Sequence, residues 1–212
     1  MPSISCIAVM PTMTSDPAGR AGSTAMEIAM GHTMLLDASA LLSSRCLSVT
    51  RGLMRVAVSE GAGEALEAAP ITLGFLQSGD QLPLDLLRRS RFHLEAITAV
   101  QLVEDWALLQ PEGASSLNAW TWALLRIRHL GDAEQRLAAV LQLLVERLGR
   151  RNGAWYELPI HLTHERIAEL VGHTRVTVTR QFSRWRQAGL VATETSQEGG
   201  LRLAPSLVEN GD

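Results

Sequence analysis

The sequence predicts an α+β fold in which a small all-β domain is followed by a long helix and a compact C-terminal domain. Three observations predict it. From Met26 to about Trp106, apolar runs of roughly four to eight residues alternate with turn residues, as in a β-sandwich or barrel. After Pro111, apolar residues recur every three or four positions, as along one face of a helix. Between Thr163 and Gly189, two short segments with helix-capping residues lie close together.

The 212-residue chain has the composition of an ordinary folded protein. Hydrophobic residues make up 46% and charged residues 19%, which argues against a wholly disordered, collagen-like or disulfide-stapled chain. The cysteines, Cys6 and Cys46, lack the clustered spacing of a zinc or iron–sulfur site. No apolar stretch approaches the length of a membrane span. We therefore expect a cytoplasmic protein without a metal, another cofactor or a membrane partner.

The N-terminal half divides into an arm and the all-β domain. Residues 1–25 carry prolines and glycines among small polar residues, which predicts a flexible arm. Residues 26–110 are predicted to form the all-β domain, with hairpins at Arg51–Gly52, Gly61–Gly63 and Gly79–Asp80. Its apolar runs are Thr33–Leu36, Cys46–Val49, Leu53–Val58, Ile71–Leu76 and His93–Val103.

Residues 111–131 are predicted to form one long helix with an apolar stripe. A stripe of this kind packs against the chain's own core or forms the seam of a dimer, and the pattern leaves both interpretations open. Trp122 cannot share the face of Trp120, so one of the two contacts something other than the partner of the stripe. The candidate seam residues are Leu117, Trp120, Leu124 and Ile127.

Residues 132–212 are predicted to form a helical domain with a hairpin. Thr163 and Thr174 are candidate N-caps, and Gly172 and Gly189 follow the two helices that these residues begin. Two short helices joined by a tight glycine-containing turn form a helix-turn-helix. The Gly199–Gly200 pair beyond them predicts a β-hairpin, or wing.

Arginine is concentrated in this motif. Between Thr163 and Leu190 there are five arginines and two glutamates, a local balance of +3 in a chain whose net charge is -3. Such an asymmetry is typical of a surface that binds phosphate groups of nucleic acid. A solvated basic face on a purely structural helix is the alternative.

The run from Leu162 to Arg180, followed by Gly189-Leu190-Val191 and a hairpin, resembles the winged helix-turn-helix of the cyclic-AMP receptor protein and fumarate–nitrate regulator (CRP/FNR) family. The segment Thr174–Arg180 is especially similar to the nitrogen-control regulators of cyanobacteria. The resemblance implies a β-roll sensor domain, a long dimerisation helix and a DNA-binding domain. It also implies a homodimeric, sequence-specific transcription regulator on a palindromic operator in double-stranded DNA, with RNA polymerase as a candidate partner.

The resemblance assigns roles to residues of the motif by position. Arginines at the base-reading positions can fork onto guanine O6 and N7, and an aliphatic Val176 can contact a thymine methyl. The similarity to the nitrogen-control regulators implies GTA-type half-sites. The implied base-reading residues are Arg175, Val176 and Arg180. The implied phosphate contacts, which orient without specifying, are His164, Thr174, Thr177 and Arg184.

The sensor domain departs from the family pattern. Pro83–Leu84 replaces the Gly-Glu pair that grips a cyclic nucleotide in the family; proline offers no amide hydrogen, and leucine cannot bind a ribose hydroxyl. We therefore expect a degenerate sensor that binds no cyclic nucleotide. Candidate contacts to a different effector, such as 2-oxoglutarate, are Arg91, Arg126 and Arg128. Haem bound through His32 or His93 is a further alternative.

Two other functions are alternatives to DNA binding. An interaction adaptor that keeps the winged fold without specific DNA readout would need Arg175 and Arg180 to be structural. An enzyme is not expected, because His161, His164 and His173 lack a Ser, Cys or carboxylate in a recognised nucleophile motif. An effector-dependent regulator remains the alternative within the family.

Overall fold

The computed structural model describes residues 25–36, 46–60, 70–84, 90–105, 111–193 and 200–209. Almost all of the predicted N-terminal arm and the Gly61–Gly63 turn lie outside these residues, as does Gly199. The chain divides into two compact units, Met1–Thr121 and Trp122–Asp212. Each unit is described by itself.

The first unit contains two four-stranded antiparallel sheets, with strand orders β1-β8-β3-β6 and β2-β7-β4-β5. The predicted run His93–Val103 is divided at residues 97–99 into two strands that lie in different sheets. The strands are β1 Ala25–Ile28, β2 Thr33–Leu36, β3 Cys46–Arg51, β4 Leu53–Glu60, β5 Ile71–Gln77, β6 Gln81–Pro83, β7 Ser90–Ala96 and β8 Val100–Asp105.

The turns at Arg51–Gly52 and Gly79–Asp80 carry the chain from one sheet to the other, so their prediction as hairpins was wrong. β3 and β4 lie in different sheets, and so do β5 and β6. Gly52 has a φ of +90°, and a Cβ there would overlap the carbonyl group of Ala99. A tight reversal needs glycine whether the chain re-pairs in its own sheet or steps to the facing one, so the local sequence does not distinguish the two.

The core of this unit lies between the two sheets. Met54 and Val56 of β4 and Phe92 and Leu94 of β7 are almost completely buried in it. Alternation along β4 places Arg55 on the opposite face, where its side chain is also buried. Its guanidinium donates from Nη1 to Glu95 Oε2 at 2.8 Å and from Nε to Thr72 Oγ1 at 2.9 Å. Buried charge is thus matched inside the β-domain.

Helix α1, Pro111–Arg128, contacts β5 through Trp120 and Thr121. The ring of Trp120 meets the ring of Phe75 edge-on, with centroids 5.2 Å apart. A Cβ at Gly74 would overlap the Trp120 side chain, so the helix approaches the strand at the distance that glycine allows. Thr121 Oγ1 donates to the carbonyl of Leu73 at 3.0 Å, which adds a polar contact to the same strand.

The second unit contains the predicted helix-turn-helix and wing. Strands β11 and β12 pair as the predicted hairpin, and the sheet order is β11-β12-β10-β9. The hairpin β9–β10 was not predicted, although its turn contains Asn152–Gly153 and Asn-Gly is a strong hairpin signal. The elements are α2 Ala133–Leu148, β9 Arg150–Asn152, β10 Trp155–Leu158, α3 His164–Val171, α4 Arg175–Gln187, β11 Val191–Thr193, β12 Leu201–Leu203 and α5 Pro205–Val208.

Replacing Gly74 by alanine is expected to destabilise the protein by about 1–3 kcal/mol, because the added methyl group overpacks the contact with Trp120. Urea unfolding measures the loss. Gly131→Ala is the control, because Gly131 has open space at the position of a Cβ and no positive φ. Equal stability of the two variants would contradict the close packing of α1 on β5.

Candidate nucleic-acid interface

The two helices of the motif begin and end where the capping residues predict. Thr163 Oγ1 accepts a hydrogen bond from the amide of Arg166 at 3.2 Å at the start of α3. Gly172 ends that helix with a left-handed φ of +69°. Thr174 Oγ1 then accepts from the amide of Thr177 at 3.3 Å at the start of α4. The turn between the helices is therefore specified by three short-range interactions.

The buried face of α4 holds it in the domain. Val178, Phe182 and Trp185 are buried along one side of the helix. The indole Nε1 of Trp185 donates to Glu134 Oε1 of α2 at 3.3 Å. Packing and this hydrogen bond together fix the direction in which the opposite face of α4 points.

That opposite face is basic and carries no acidic residue. Arg175, Arg180 and Arg184 are exposed, and in the described part of the chain none of them forms an ion pair. Val176, between the first two, is 67% exposed. The free amides and positive dipole end of α4 lie at the same end as Arg175 and Thr174. An anion such as a phosphate group is favoured at this surface.

The remaining arginines of the motif are engaged locally. Arg166 pairs with Glu169 at 2.8 Å within α3. The guanidinium of Arg186 lies 5.9 Å from the centre of the Phe182 ring. The excess positive charge of the motif therefore comes mainly from the exposed arginines of α4.

His164 lies between the two helices and contacts both. Its Nδ1 is 2.9 Å from Thr179 Oγ1, and its ring centre is 4.9 Å from that of Phe182. Burial lowers the pKa of His164 below its ordinary value of 6.5, and the positive charges of Arg186, Arg175 and His161 lower it further. The neutral ring is thus the favoured form in the free protein.

The four side chains predicted for the dimer seam are already buried within one copy of the chain. Trp120 is 3% exposed and packs on Phe75, and Leu117 belongs to the core of the β-domain. Side chains buried to this degree have little surface to offer a second copy. The burial of Leu117, Trp120, Leu124 and Ile127 favours the interpretation of this stripe as a packing face of α1.

A different face of α1 is exposed. Trp122 is 64% and Leu125 is 49% exposed, and Asn118 and His129 continue the same line in both directions. This line has a spacing of four, three and four residues but is less apolar than the buried stripe, so the sequence pattern alone favours the other face of the helix.

The candidate effector residues each have their own local surroundings. Arg91 is exposed, on the opposite face of β7 from the core residue Phe92. Arg126 is exposed, whereas Arg128 donates to the backbone carbonyls of Glu169 and Leu170 at the end of α3. The contact of Arg128 with α3 was not predicted, because no local sequence pattern indicates it.

The residues considered for cyclic-nucleotide and haem binding have the following surroundings. Pro83 and Leu84 are both buried, and Leu84 belongs to the apolar core of the β-domain. His93 Nε2 lies 2.8 Å from Ser59 Oγ, and His32 is exposed. Within the described ranges, no three His, Cys, Asp or Glu side chains are grouped as metal ligands. None of the helices described is long and apolar enough to span a membrane.

We expect an NMR titration to place the pKa of His164 below 6.5, with His164→Gln used to assign its resonance. Because the unfolded chain then binds this proton more readily than the folded chain, stability should fall as the pH drops below about 6.5. The decline should be shallower in His164→Gln. A pKa above 6.5 would contradict the burial and charge that we ascribe to this site.

Comparison with known proteins agrees with this architecture. A model of the cyanobacterial CRP family N-terminal domain matches residues 26–117, and a model of the Crp-like helix-turn-helix domain matches residues 135–203. Regulatory protein CysR of Synechococcus elongatus is 38% identical over 130 residues, which cover 59% of this chain and 63% of CysR. The global nitrogen regulator of Synechocystis sp. is 29% identical over 120 residues, 50% of this chain and 53% of that protein. The matches thus span less than two thirds of either relative.

Two solved structures share the fold. A CRP/FNR-family transcriptional regulator from Thermus thermophilus has a TM-score of 0.63 and 21% identity, covering 88% of this chain and 98% of that one. A CooA mutant from Carboxydothermus hydrogenoformans has a TM-score of 0.63 and 20% identity, covering 88% and 85%. At such identities the likeness establishes the fold alone. With both domain models matched in order, the family predicted from the residues is confirmed: the chain belongs to the CRP/FNR family of transcription regulators, in its cyanobacterial type.

Proposed function

We propose that the chain is a sequence-specific DNA-binding transcription regulator that acts as a homodimer on a palindromic site. The observation that carries the proposal is the exposed face of α4, where three arginines form no ion pair among the described residues, Val176 is exposed and the helix contains no carboxylate. A structural helix would gain from pairing such charges, as Arg55 and Arg166 are paired elsewhere in the chain. DNA supplies the missing anions.

The exposed face separates base-reading from phosphate-binding groups. Arg175, Val176 and Arg180 project from the first half of α4, which is the part of a recognition helix that meets base edges in the major groove. Thr174 and Thr177 lie at its N-terminus, where hydroxyls and free amides suit phosphate oxygens.

His164 and Arg184 are assigned to the phosphate backbone beside these groups. A DNA phosphate close to His164 would raise its pKa, so DNA binding would take up a proton. CysR and the global nitrogen regulator are regulators, which supports the same class of function for this chain.

The dimer is assigned to the exposed line Asn118, Trp122, Leu125 and His129 of α1. Its alternating spacing of four and three residues is that of a coiled-coil seam, and a second copy of the same helix complements it. Two copies joined in this way would present two recognition helices to successive major grooves about 34 Å apart.

The β-domain is assigned the role of a degenerate sensor, with residues 26–110 as sensor-like domain, 111–131 as dimerisation helix and 132–212 as DNA-binding domain. Leu84 stands where the family has a ribose-binding carboxylate, and its side chain is buried in the apolar core. This supports a sensor domain that binds no cyclic nucleotide. We further propose RNA polymerase as a partner and the cytoplasm as the location of the protein.

The first experiment measures fluorescence anisotropy of the purified chain with a GTA-type palindrome and with a scrambled duplex, over a salt series. A preference for the palindrome by about a thousandfold or more without ligand supports a specific regulator. Weak, equal binding with a steep salt slope calls for repetition with 2-oxoglutarate and a random DNA library. Equal binding under all these conditions would reject specific readout and favour the adaptor.

Arg180→Ala is expected to relax specificity at one base pair of each half-site and to cost about 1–3 kcal/mol there. Thr177→Ala, by contrast, should weaken all duplexes by a similar factor, because a phosphate contact carries no sequence information. Titrations against single-base operator variants separate the two effects. If both substitutions lowered affinity equally for specific and scrambled DNA, this division of roles would be wrong.

Leu125→Glu is expected to dissociate the dimer, since it places like charges opposite each other in the seam. Ile71→Glu is the matched control, because Ile71 is an equally exposed apolar residue on β5. Analytical ultracentrifugation measures the assembly. An intact dimer of Leu125→Glu at micromolar concentration would move the seam away from this face.

A further inference from the structure

Arg128, the last residue of α1, makes two hydrogen bonds to the end of α3. Its Nη2 donates to the carbonyl of Glu169 at 2.7 Å, and its Nε donates to the carbonyl of Leu170 at 3.3 Å. Both carbonyls lie in the last turn of α3, where backbone acceptors have no partner within the helix. The guanidinium therefore caps a helix to which it does not belong.

The chemistry of the contact depends on arginine. The C-terminus of a helix carries partial negative charge, so a cation there is stabilising. A planar guanidinium offers donors in a fixed fork that suits two adjacent carbonyls, whereas an ammonium group is a point charge without that geometry. Arg128 thus constrains the direction of α3 as well as its distance from α1.

Only a short segment separates the carbonyls that Arg128 binds from the start of the recognition helix α4. Gly172 and His173 follow the capped turn directly, and Thr174 caps α4. The segment between α1 and α2 is also bound by α2, because Arg136 Nε donates to the carbonyl of Leu130 at 2.8 Å. The end of α1 is therefore joined by hydrogen bonds both to the turn of the motif and to α2.

We infer that Arg128 is a positioning residue, which sets the separation of the two recognition helices in the dimer and hence the spacing of half-sites that the protein accepts. The inference rests on the proposed function, in which α1 joins the two copies and α4 enters the groove. Loss of Arg128 leaves α4 held by its buried face and by Trp185 and Glu134, so each half should still recognise its own half-site.

The test compares Arg128→Met with Arg126→Met. Both substitutions remove one arginine from the last turn of α1, but Arg126 is exposed and its side chain forms no hydrogen bond or ion pair in the described part of the chain. Affinity is measured by anisotropy, without effector, for palindromes whose half-site centres are about 10 bp apart or one base pair closer or farther. A duplex with a single half-site is measured in parallel.

Arg126→Met should lower affinity for all duplexes by a similar factor and keep the spacing preference of the wild type. Arg128→Met should lose about tenfold at the preferred spacing, since hydrogen bonds to a charged group are lost, and should differ little from Arg126→Met on the single half-site. Arg128→Lys should restore affinity only in part, because it keeps the charge without the fork.

Three outcomes would overturn the inference. Equal spacing profiles for the two methionine variants would remove any special role of Arg128. Loss of single half-site binding in Arg128→Met would mean that the residue supports the fold of the motif rather than its position. A wild type that prefers no palindrome over scrambled DNA would defeat the proposed function itself, and the inference with it.

A second measurement does not depend on DNA. The amides of Gly172 and His173 both donate to the carbonyl of Ala168 at the end of α3. Hydrogen exchange at these two amides should be faster in Arg128→Met than in Arg126→Met. Unchanged exchange would contradict the capping contact on which the inference depends.

Discussion

Burial of one apolar face of α1 within a single chain is the constraint on which the other assignments depend. Trp120 can pack on Phe75 only because Gly74 has no side chain, and this contact fixes which face of the helix turns inward. Trp122 and Leu125 are left exposed as a consequence. The same helix ends in Arg128, whose side chain is turned to the α3–α4 motif. The packing of α1 thus decides which of its apolar side chains belong to the core and which are exposed.

Arginines of this chain fall into two groups according to whether a carboxylate is near. Arg55 is paired with Glu95, and Glu157, which is buried in the second unit, lies 3.4 Å from Arg150 and 3.7 Å from Arg202. Pairing of this kind offsets the desolvation of charge. The arginines on the outer face of α4 have no such neighbour among the described residues. Their separation from acidic side chains is what makes this surface attractive to a polyanion.

The helix-turn-helix could be predicted almost residue by residue, because caps are local: Thr163, Gly172 and Thr174 act through bonds to residues at most four positions away. The β-domain could be predicted only in its strands. A glycine such as Gly52 marks a sharp reversal, but whether the next strand joins the same sheet depends on contacts with Ala99, far along the chain.

Similar limits applied to the long helix and to Arg128. Leu117 and Trp122 are both apolar residues of one helix, and periodicity alone does not say which face its own chain covers. The contact of Arg128 with Leu170 joins residues that are 42 positions apart, so no local pattern reports it.

The exposure of Val176 has a consequence for the chemistry of the DNA that this protein would accept. An aliphatic side chain at a base edge distinguishes bases by the C5 methyl group of thymine rather than by hydrogen bonds. Uracil lacks that methyl group, and 5-methylcytosine carries one at the same place. Recognition through Val176 would therefore be sensitive to covalent modification of pyrimidines, so the methylation state of the genome could alter which sites the regulator occupies.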